Sequence, residues 1–396
     1  MAVAKEGSMK RLSANAKLLF GGFIALCFLS ILNSAYSTVL VVIKEEFALS
    51  YTLSGALMSS YFVGYTIGQI PWGYLADRVG SRRVMTLSVI GIASSTILFG
   101  LASDIRQAIA SRFFAGLLGA GVFVPGVRLI SDWFSPRERG TALGILSVGG
   151  SIGLIVASWA APLLAIRLGW RSSMMIFGLL GILSSALMWS TLRDRRVRGT
   201  STAIKKEMAG FLRLGSFWIL ALTQFLRLGS NYTFIAWLPL LLHEEYGLDI
   251  LSAGTALSIF NLAGMLSNPV GGFISDRVGE KKVLLVSFFA LALDLILFTG
   301  VKTSPMIYVA AFILGWFINL IRSPSFAILP KLYGIDVAGR VSGVHNTFAS
   351  IGALSLPLLL GYLRDLTFSY HVGWMTLSAL LMFGTIINVF LRTPSE

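Results

Sequence analysis

The sequence predicts an all-α membrane protein whose twelve transmembrane helices form two pseudo-symmetric six-helix bundles. Three observations predict it. Hydrophobic residues make up 55% of the 396 and charged residues 13%, with a mean hydropathy of +0.79, whereas soluble chains carry roughly 25% charged residues. The apolar runs are long and show no period-two alternation. That excludes a β-barrel and leaves helices, because a bilayer offers backbone groups no solvent to bond. Finally, the chain repeats itself: GYLADRVGSRR at Gly73–Arg83 returns as GFISDRVGEKK at Gly272–Lys282, 199 residues on.

Crossing a core of ~30 Å at ~1.5 Å per residue takes about 20 apolar residues. By that measure the spans fall at 17–43, 51–76, 82–102, 106–134, 139–165, 170–192, 214–242, 250–275, 281–301, 305–333, 338–363 and 370–392. The first is too long for the apolar core of a leader peptide and lacks a small-residue cleavage site, so it reads as a retained helix. Residues 1–192 make the first bundle and 214–396 the second. Between them lies a polar, basic cytoplasmic linker, 193–213, reading RDRRVRGTSTAIKKEMAGFLR. With the N-terminus in the cytoplasm, 22 Lys/Arg fall on inner segments, 6 on outer ones and four inside helices. This is the positive-inside pattern, and it puts both termini in the cytoplasm of a cell whose membrane the chain crosses repeatedly. The net charge of +14 is then a topology signal and an attraction to anionic inner-leaflet lipid, not a nucleic-acid surface. Cys27, the one cysteine, can form no internal disulfide. No metal cluster, cofactor motif, Walker loop or nucleophile constellation is visible, so no enzyme is expected.

The repeat extends beyond the quoted strings. Glu45-Glu46-Phe47 returns as Glu244-Glu245-Tyr246, Pro125 as Pro324, Gly140 as Gly339 and Gly144 as Gly343. Two parallel six-helix halves, each with Gly-x-x-x-Asp-Arg-x-Gly-x-Arg/Lys-Arg/Lys after its second helix, resemble the major facilitator superfamily over essentially the whole chain. The resemblance implies a substrate held between the halves near the midplane, and alternating access by rocking. It also implies that Asp77, Arg78 and Arg82, with Asp276 and Arg277, latch the cytoplasmic side. Asp77 would meet the start of the eleventh helix, and Asp276 the start of the fifth. Such a carboxylate would face the partial positive charge of a helix N-terminus, and Gly73 and Gly272 would let helices approach closely. The plainer reading is that these basic loops only fix topology. RFFAGLLGAG, from Arg112, resembles the family's second motif. Arg112 is then structural or proton-related; an interface arginine bonded to carbonyls is the bland alternative.

Ionisable residues deep in a span are costly and therefore informative. Arg227 sits in TQFLRLGSNYTFIAWLP on the seventh span, with Asn231 at i+4 and Tyr232 beside it. Arg322 sits in GWFINLIRSPSF on the tenth, with Asn319 at i−3. In the family these helices line the cavity, and two guanidinium forks there expect a carboxylate or phosphate. Asp294, on the ninth span, could instead pair with Arg322 as a structural ion pair. Asn33 and Tyr36 on the first span, and the stripe Tyr61, Tyr65 and Gln69 on the second, are further candidate ligand contacts. Arg128 has Asp132 at i+4, and Asp132 matches Lys331 across the repeat. That opposite pair points to a cytoplasmic gate, with a local Arg128–Asp132 pair as the simpler account. A histidine such as His345 is a side chain that could titrate in the physiological range, yet a lone histidine is more often a packing residue.

These residues predict a monomeric secondary transporter that moves a small organic anion, of the carboxylate type, by alternating access. The overall look resembles the organic-anion and monocarboxylate branches; the nitrate branch's glycine-rich signature is absent. Coupling is open among protons, through Asp294, Asp132, His345, Arg128 or Arg112, the substrate's own carboxylate, and simple exchange. The chief alternative is a multidrug or metabolite efflux antiporter of the same fold, which would favour an acid over arginines. A non-transporting sensor and a lipid flippase are weaker rivals.

Overall fold

The computed structural model describes residues 2–194, 213–298 and 303–391. Of the predicted linker, 195–212 lies outside the described residues. The elements are α1 (Ala2–Ser34), a 3-10 segment (Ala35–Val39), α2 (Leu40–Glu46), α3 (Tyr51–Val79), α4 (Ser81–Gly100), α5 (Ile105–Gly119), α6 (Phe123–Trp133), α7 (Pro136–Leu168) and α8 (Trp170–Thr191). There follow α9 (Gly215–Glu244), α10 (Ile250–Val278), α11 (Glu280–Phe298), α12 (Ser304–Leu320), α13 (Arg322–Tyr333), α14 (Ile335–Thr367) and α15 (Tyr370–Val389). No strand occurs among the described residues. Three pairs (α1 with α2, α5 with α6, α12 with α13) continue one another, so the fifteen helices make twelve rods.

Nine of these rods are long and apolar enough to span a membrane by length and composition alone. The other three, α3, α9 and α11, interrupt their apolar runs with polar residues such as Gln69, Arg227 and Asp294. The breaks in the fourth and tenth rods have a shared cause. Proline has no N–H to offer the carbonyl four residues back. Pro125 and Pro324, equivalent in the repeat, therefore leave the carbonyls of Gly121 and Leu320 without that bond, and the helices divide there. Arg322 consequently becomes the first residue of α13.

The chain divides into two compact units: Met1–Tyr36 with Val63–Thr200, and Ser37–Phe62 with Ser201–Glu396. In the first, α1 packs on α7, α4 on α8 and α3 on α5; in the second, α9 packs on α14, α11 on α15 and α10 on α12. Glycine makes these seams tight, as expected where only small residues let backbones meet. A Cβ at Gly153 would overlap the Cys27 carbonyl, and one at its repeat partner Gly352 the Phe225 carbonyl. Gly64 against Phe113 and Gly315 against Phe260 show the same contact. The expectation for Gly73 differs from the structure: nothing lies within 4 Å of a Cβ there, and at Gly272 the neighbour is the Ser323 hydroxyl at 3.1 Å. The motif's second glycines have another task. Gly80 and Gly279 take φ of 94° and 90°, a region closed to most side chains, and turn the chain sharply into the next helix.

Overpacking of this kind costs about 1–3 kcal/mol. Gly153→Leu should therefore lower the melting temperature by several degrees, while Gly144→Leu, where a Cβ meets nothing within 4 Å, should leave it within a degree. Thermal melts of both in detergent check this; equal effects would contradict the seam.

Candidate functional site

In the second unit, α9 turns a polar stripe inward. Thr223, Gln224, Arg227 and Ser230 are all buried, and Arg227 is 5% exposed. Its Nε donates to Gln224 Oε1, one turn earlier, at 2.7 Å. That bond uses one of the five guanidinium donors and leaves the outer fork open. Arg322, half-buried at the head of α13, and Tyr232 both lie within electrostatic reach of Arg227. Among the described residues neither guanidinium has a carboxylate within 4 Å, and no ion pair joins Arg322 to Asp294. Asp294 is buried on α11, and its Oδ2 has no hydrogen-bond partner. Two like charges thus share a poorly hydrated region without a counter-ion, an arrangement that repels a cation and attracts an anion.

The other candidates of this unit are held as follows. Tyr232 packs edge-on against Phe62 with ring centroids 4.4 Å apart, and Phe62 against Tyr61 at 5.3 Å. Asn231 is half-buried. Asn319 spends one amide hydrogen on the Gly315 carbonyl at 3.0 Å and presses on Gly264 of α10. His345 is buried, its Nε2 3.1 Å from the Phe217 carbonyl and its ring 4.8 Å from that of Phe217.

In the first unit Arg112 is 3% exposed. It donates to Asn33 Oδ1 at 3.0 Å and to the Leu32 carbonyl at 3.5 Å, and lies over the Tyr36 ring at 4.2 Å. These contacts tie α5 to the end of α1, so Asn33 and Tyr36 are occupied in holding an arginine. Tyr65 and Gln69 are half-buried on α3 in the same unit.

The repeated loops are organised within each unit. Arg128 is ion-paired with Asp77 and reaches Asp132 at 3.9 Å. Arg82 donates twice to the Trp189 carbonyl, at 3.0 and 2.6 Å, and its amide donates to Asp194 at 2.9 Å, closing the end of α8. In the second unit Lys331 pairs with Glu280 at 2.6 Å and feels Asp276. Arg78 stacks on Tyr74 and Arg277 on Phe273, at 4.3 and 4.2 Å, so the repeat extends to cation–π contacts.

One cluster of this unit was not anticipated. Glu244, at the end of α9, accepts from Lys44 at 3.1 Å, Tyr51 at 2.8 Å and Tyr370 at 2.7 Å. Arg364 lies over the Tyr51 and Tyr370 rings, at 4.6 and 4.8 Å. Lys44, Tyr51, Glu244 and Arg364 line a polar depression of about 470 Å³. The repeated Glu45/Glu244 was a visible signal, but its partners stand up to 200 residues away and no local pattern names them. Gln224, the holder of Arg227, was legible as an i,i+3 neighbour.

Comparison with known proteins follows from this geometry. The family model described as Major Facilitator Superfamily matches residues 18–253 and 220–396. The "Nitrite extrusion protein" of Bacillus subtilis (strain 168) is 26% identical over 96% of this chain and 94% of its own. The "Probable L-galactonate transporter" of Escherichia coli (strain K12) is 26% identical over 99% and 92%. Among solved structures, a bacterial homolog of the human lysosomal transporter Spinster, inward-facing and occupied, superposes with a TM-score of 0.79 at 18% identity, covering 95% of this chain and 96% of that one.

Supplying the missing counter-ion tests the electrostatics directly. Gln224→Glu places a carboxylate where Arg227 already donates. It should raise the melting temperature of the ligand-free protein by a few degrees, because a repelling pair becomes a paired one. A fall would mean that the arginines are already neutralised.

Proposed function

The chain belongs to the major facilitator superfamily, a multi-pass membrane transporter, and on that premise we propose that it carries a small organic anion by alternating access, with Arg227 and Arg322 as the anion clamp. The observation that carries this is a pair of guanidiniums in mutual electrostatic reach without a carboxylate partner among the described residues. Arginine forks match carboxylate oxygens two by two. Asn231, Asn319, Tyr232 and Tyr61 supply hydroxyl and amide groups for the rest of a hydroxylated acid, whereas Asn33 and Tyr36 are engaged by Arg112. The relatives' names support an anion, divided between an inorganic ion and a sugar acid. The surrounding hydrogen-bonding groups favour the organic one.

A multidrug antiporter for cations is disfavoured, since a cation would meet two positive charges and no paired acid. Among coupling candidates Asp132 is engaged by Arg128, Arg112 by Asn33 and His345 by a backbone carbonyl. Asp294, buried with an unbonded oxygen, is then the acid best placed to take a proton. The basic loops support cytoplasmic termini, a cell-membrane location and cytoplasmic latches built on Asp77, Arg78, Arg82, Asp276 and Arg277, with Asp132 and Lys331 at the same edge. The halves 1–192 and 214–396 act as the rocking bodies of a monomer.

Binding to the folded state stabilises it by RT ln(1 + [L]/Kd), about 2.7 kcal/mol at 100 Kd. Among mono- and dicarboxylates, sugar acids, nitrate, nitrite and cationic drugs, an organic anion should raise the melting temperature by several degrees. Arg227→Ala and Arg322→Ala should each abolish that shift. Stabilisation by cationic drugs alone, unaffected by either substitution, would overturn the proposal in favour of the efflux reading.

A further inference from the structure

The repeat breaks where α3 and α10 begin. Asp249, the residue before α10, caps its own helix, accepting from the amides of Leu251 and Ser252 at 2.9 Å each and from the Ser252 hydroxyl at 2.7 Å. Those bonds, the Ser252 hydroxyl's first, hold its carboxyl below the usual range. The equivalent of Asp249 in the first half is Ser50, and that of Ser252 is Leu53. A serine can cap, and Ser50 does so for one amide, its hydroxyl accepting from Leu53 at 3.2 Å while also bonding Asp365. The first amides of α3 go elsewhere. Tyr51 and Thr52 donate their amides to Asp365 at 2.9 and 2.7 Å, and the Thr52 hydroxyl donates to it at 2.5 Å. Asp365 stands on the last turn of α14, 314 residues along the chain from Tyr51. So α10 is capped wholly by its own chain neighbour, whereas the first two amides of α3 go to a carboxylate on another helix, beside the Ser50 cap on the third.

Glu244 grips the same segment from α9, through Lys44 and Tyr51. Deeper along the same segment the contact is close. A Cβ at Gly55 would lie 2.8 Å from the Pro357 carbonyl, and one at Gly361 would overlap the Tyr51 carbonyl. The Ser59 hydroxyl donates to the Leu354 carbonyl at 2.6 Å. The same contact carries rings, Phe62 on Tyr232 at 4.4 Å and Tyr51 on Trp237 at 6.3 Å, and the two charged clasps close its end.

We propose that Asp365 and Glu244 form a latch holding the segment Ser37–Phe62 on the outer ends of α9 and α14, released once in each transport cycle. The proposal rests on the carrier reading in the need for a cycle. The borrowed carboxylate makes the latch two-sided: its release leaves the Tyr51 and Thr52 amides without their acceptor, while Ser50 still caps Leu53, so the open state is held back by more than the lost seam. The charged groups around it are Lys44, Glu45, His243, Glu245 and Arg364, and the two tyrosines are Tyr51 and Tyr370.

The test uses Ser54→Cys, a position 1% exposed on the first turn of α3, in the full chain in lipid nanodiscs. Labelling by a membrane-impermeant maleimide reports parting, and the wild-type chain, whose Cys27 is buried, gives the background. Asp365→Asn should speed labelling by about tenfold or more, since hydrogen bonds to a charged group are the stronger ones. Glu244→Gln, which leaves the cap untouched, should also speed it. The decisive variant is Ser50→Asp with Asp365→Asn, which restores a cap in the manner of Asp249 but not the latch. Labelling that stays fast supports the latch. Labelling that returns to the slow rate, or single variants no faster than the parent, would overturn it and leave Asp365 a mere cap. Stabilisation by an organic anion should persist in Asp365→Asn, which alters no clamp residue. If no anion stabilises even the wild type, the carrier reading fails while the labelling comparison still decides the latch.

Discussion

A charge in a lipid-facing chain must find an opposite charge, a hydrogen-bond shell or a use. Here most charges find the first or second. Lys331 has Glu280, Arg128 has Asp77, Arg82 has the end of α8, and even the deeply buried Arg112 has an amide, a carbonyl and an aromatic face. Among the described residues Arg227, Arg322 and the acid Asp294 stand without an ion pair, and the functional account rests on the two arginines. Their placement is a consequence of the backbone. A proline at 324 ends α12 and makes Arg322 the head of α13, while Gln224 steadies Arg227 by its Nε alone. The donors left over point to an occupant that brings its own negative charge.

The glycine seams matter for the same reason. In lipid, helices gain little from apolar association and depend on close backbone packing. Gly153 and Gly352, equivalent in the repeat, lock α7 on α1 and α14 on α9. Such seams make each unit firm within itself.

Much of this was legible in the sequence, for physical reasons. Long apolar runs define the helical spans because bilayer thickness and backbone bonding leave few alternatives. The arginines were legible because charge inside a span is rare. The division of the fourth and tenth rods was also readable, since Pro125 and Pro324 each remove one helical bond, although the pair first served only as a marker of the repeat. Gly73 was misleading: a glycine in a motif suggested close approach, and the structure places open space there. The outer cluster was out of reach. Tyr51 and Asp365 stand 314 residues apart, and only the fold brings them together.

The central claim is that the site selects by negative charge. The most direct measurement is calorimetric binding of one hydroxylated acid against its uncharged amide, identical in shape but unable to pair with two guanidiniums. The account predicts that the acid binds at least ~100-fold more tightly, the ~3 kcal/mol expected of charge-assisted bonds to buried arginines. Equal affinities would mean that Arg227 and Arg322 do not read charge, and would contradict the account.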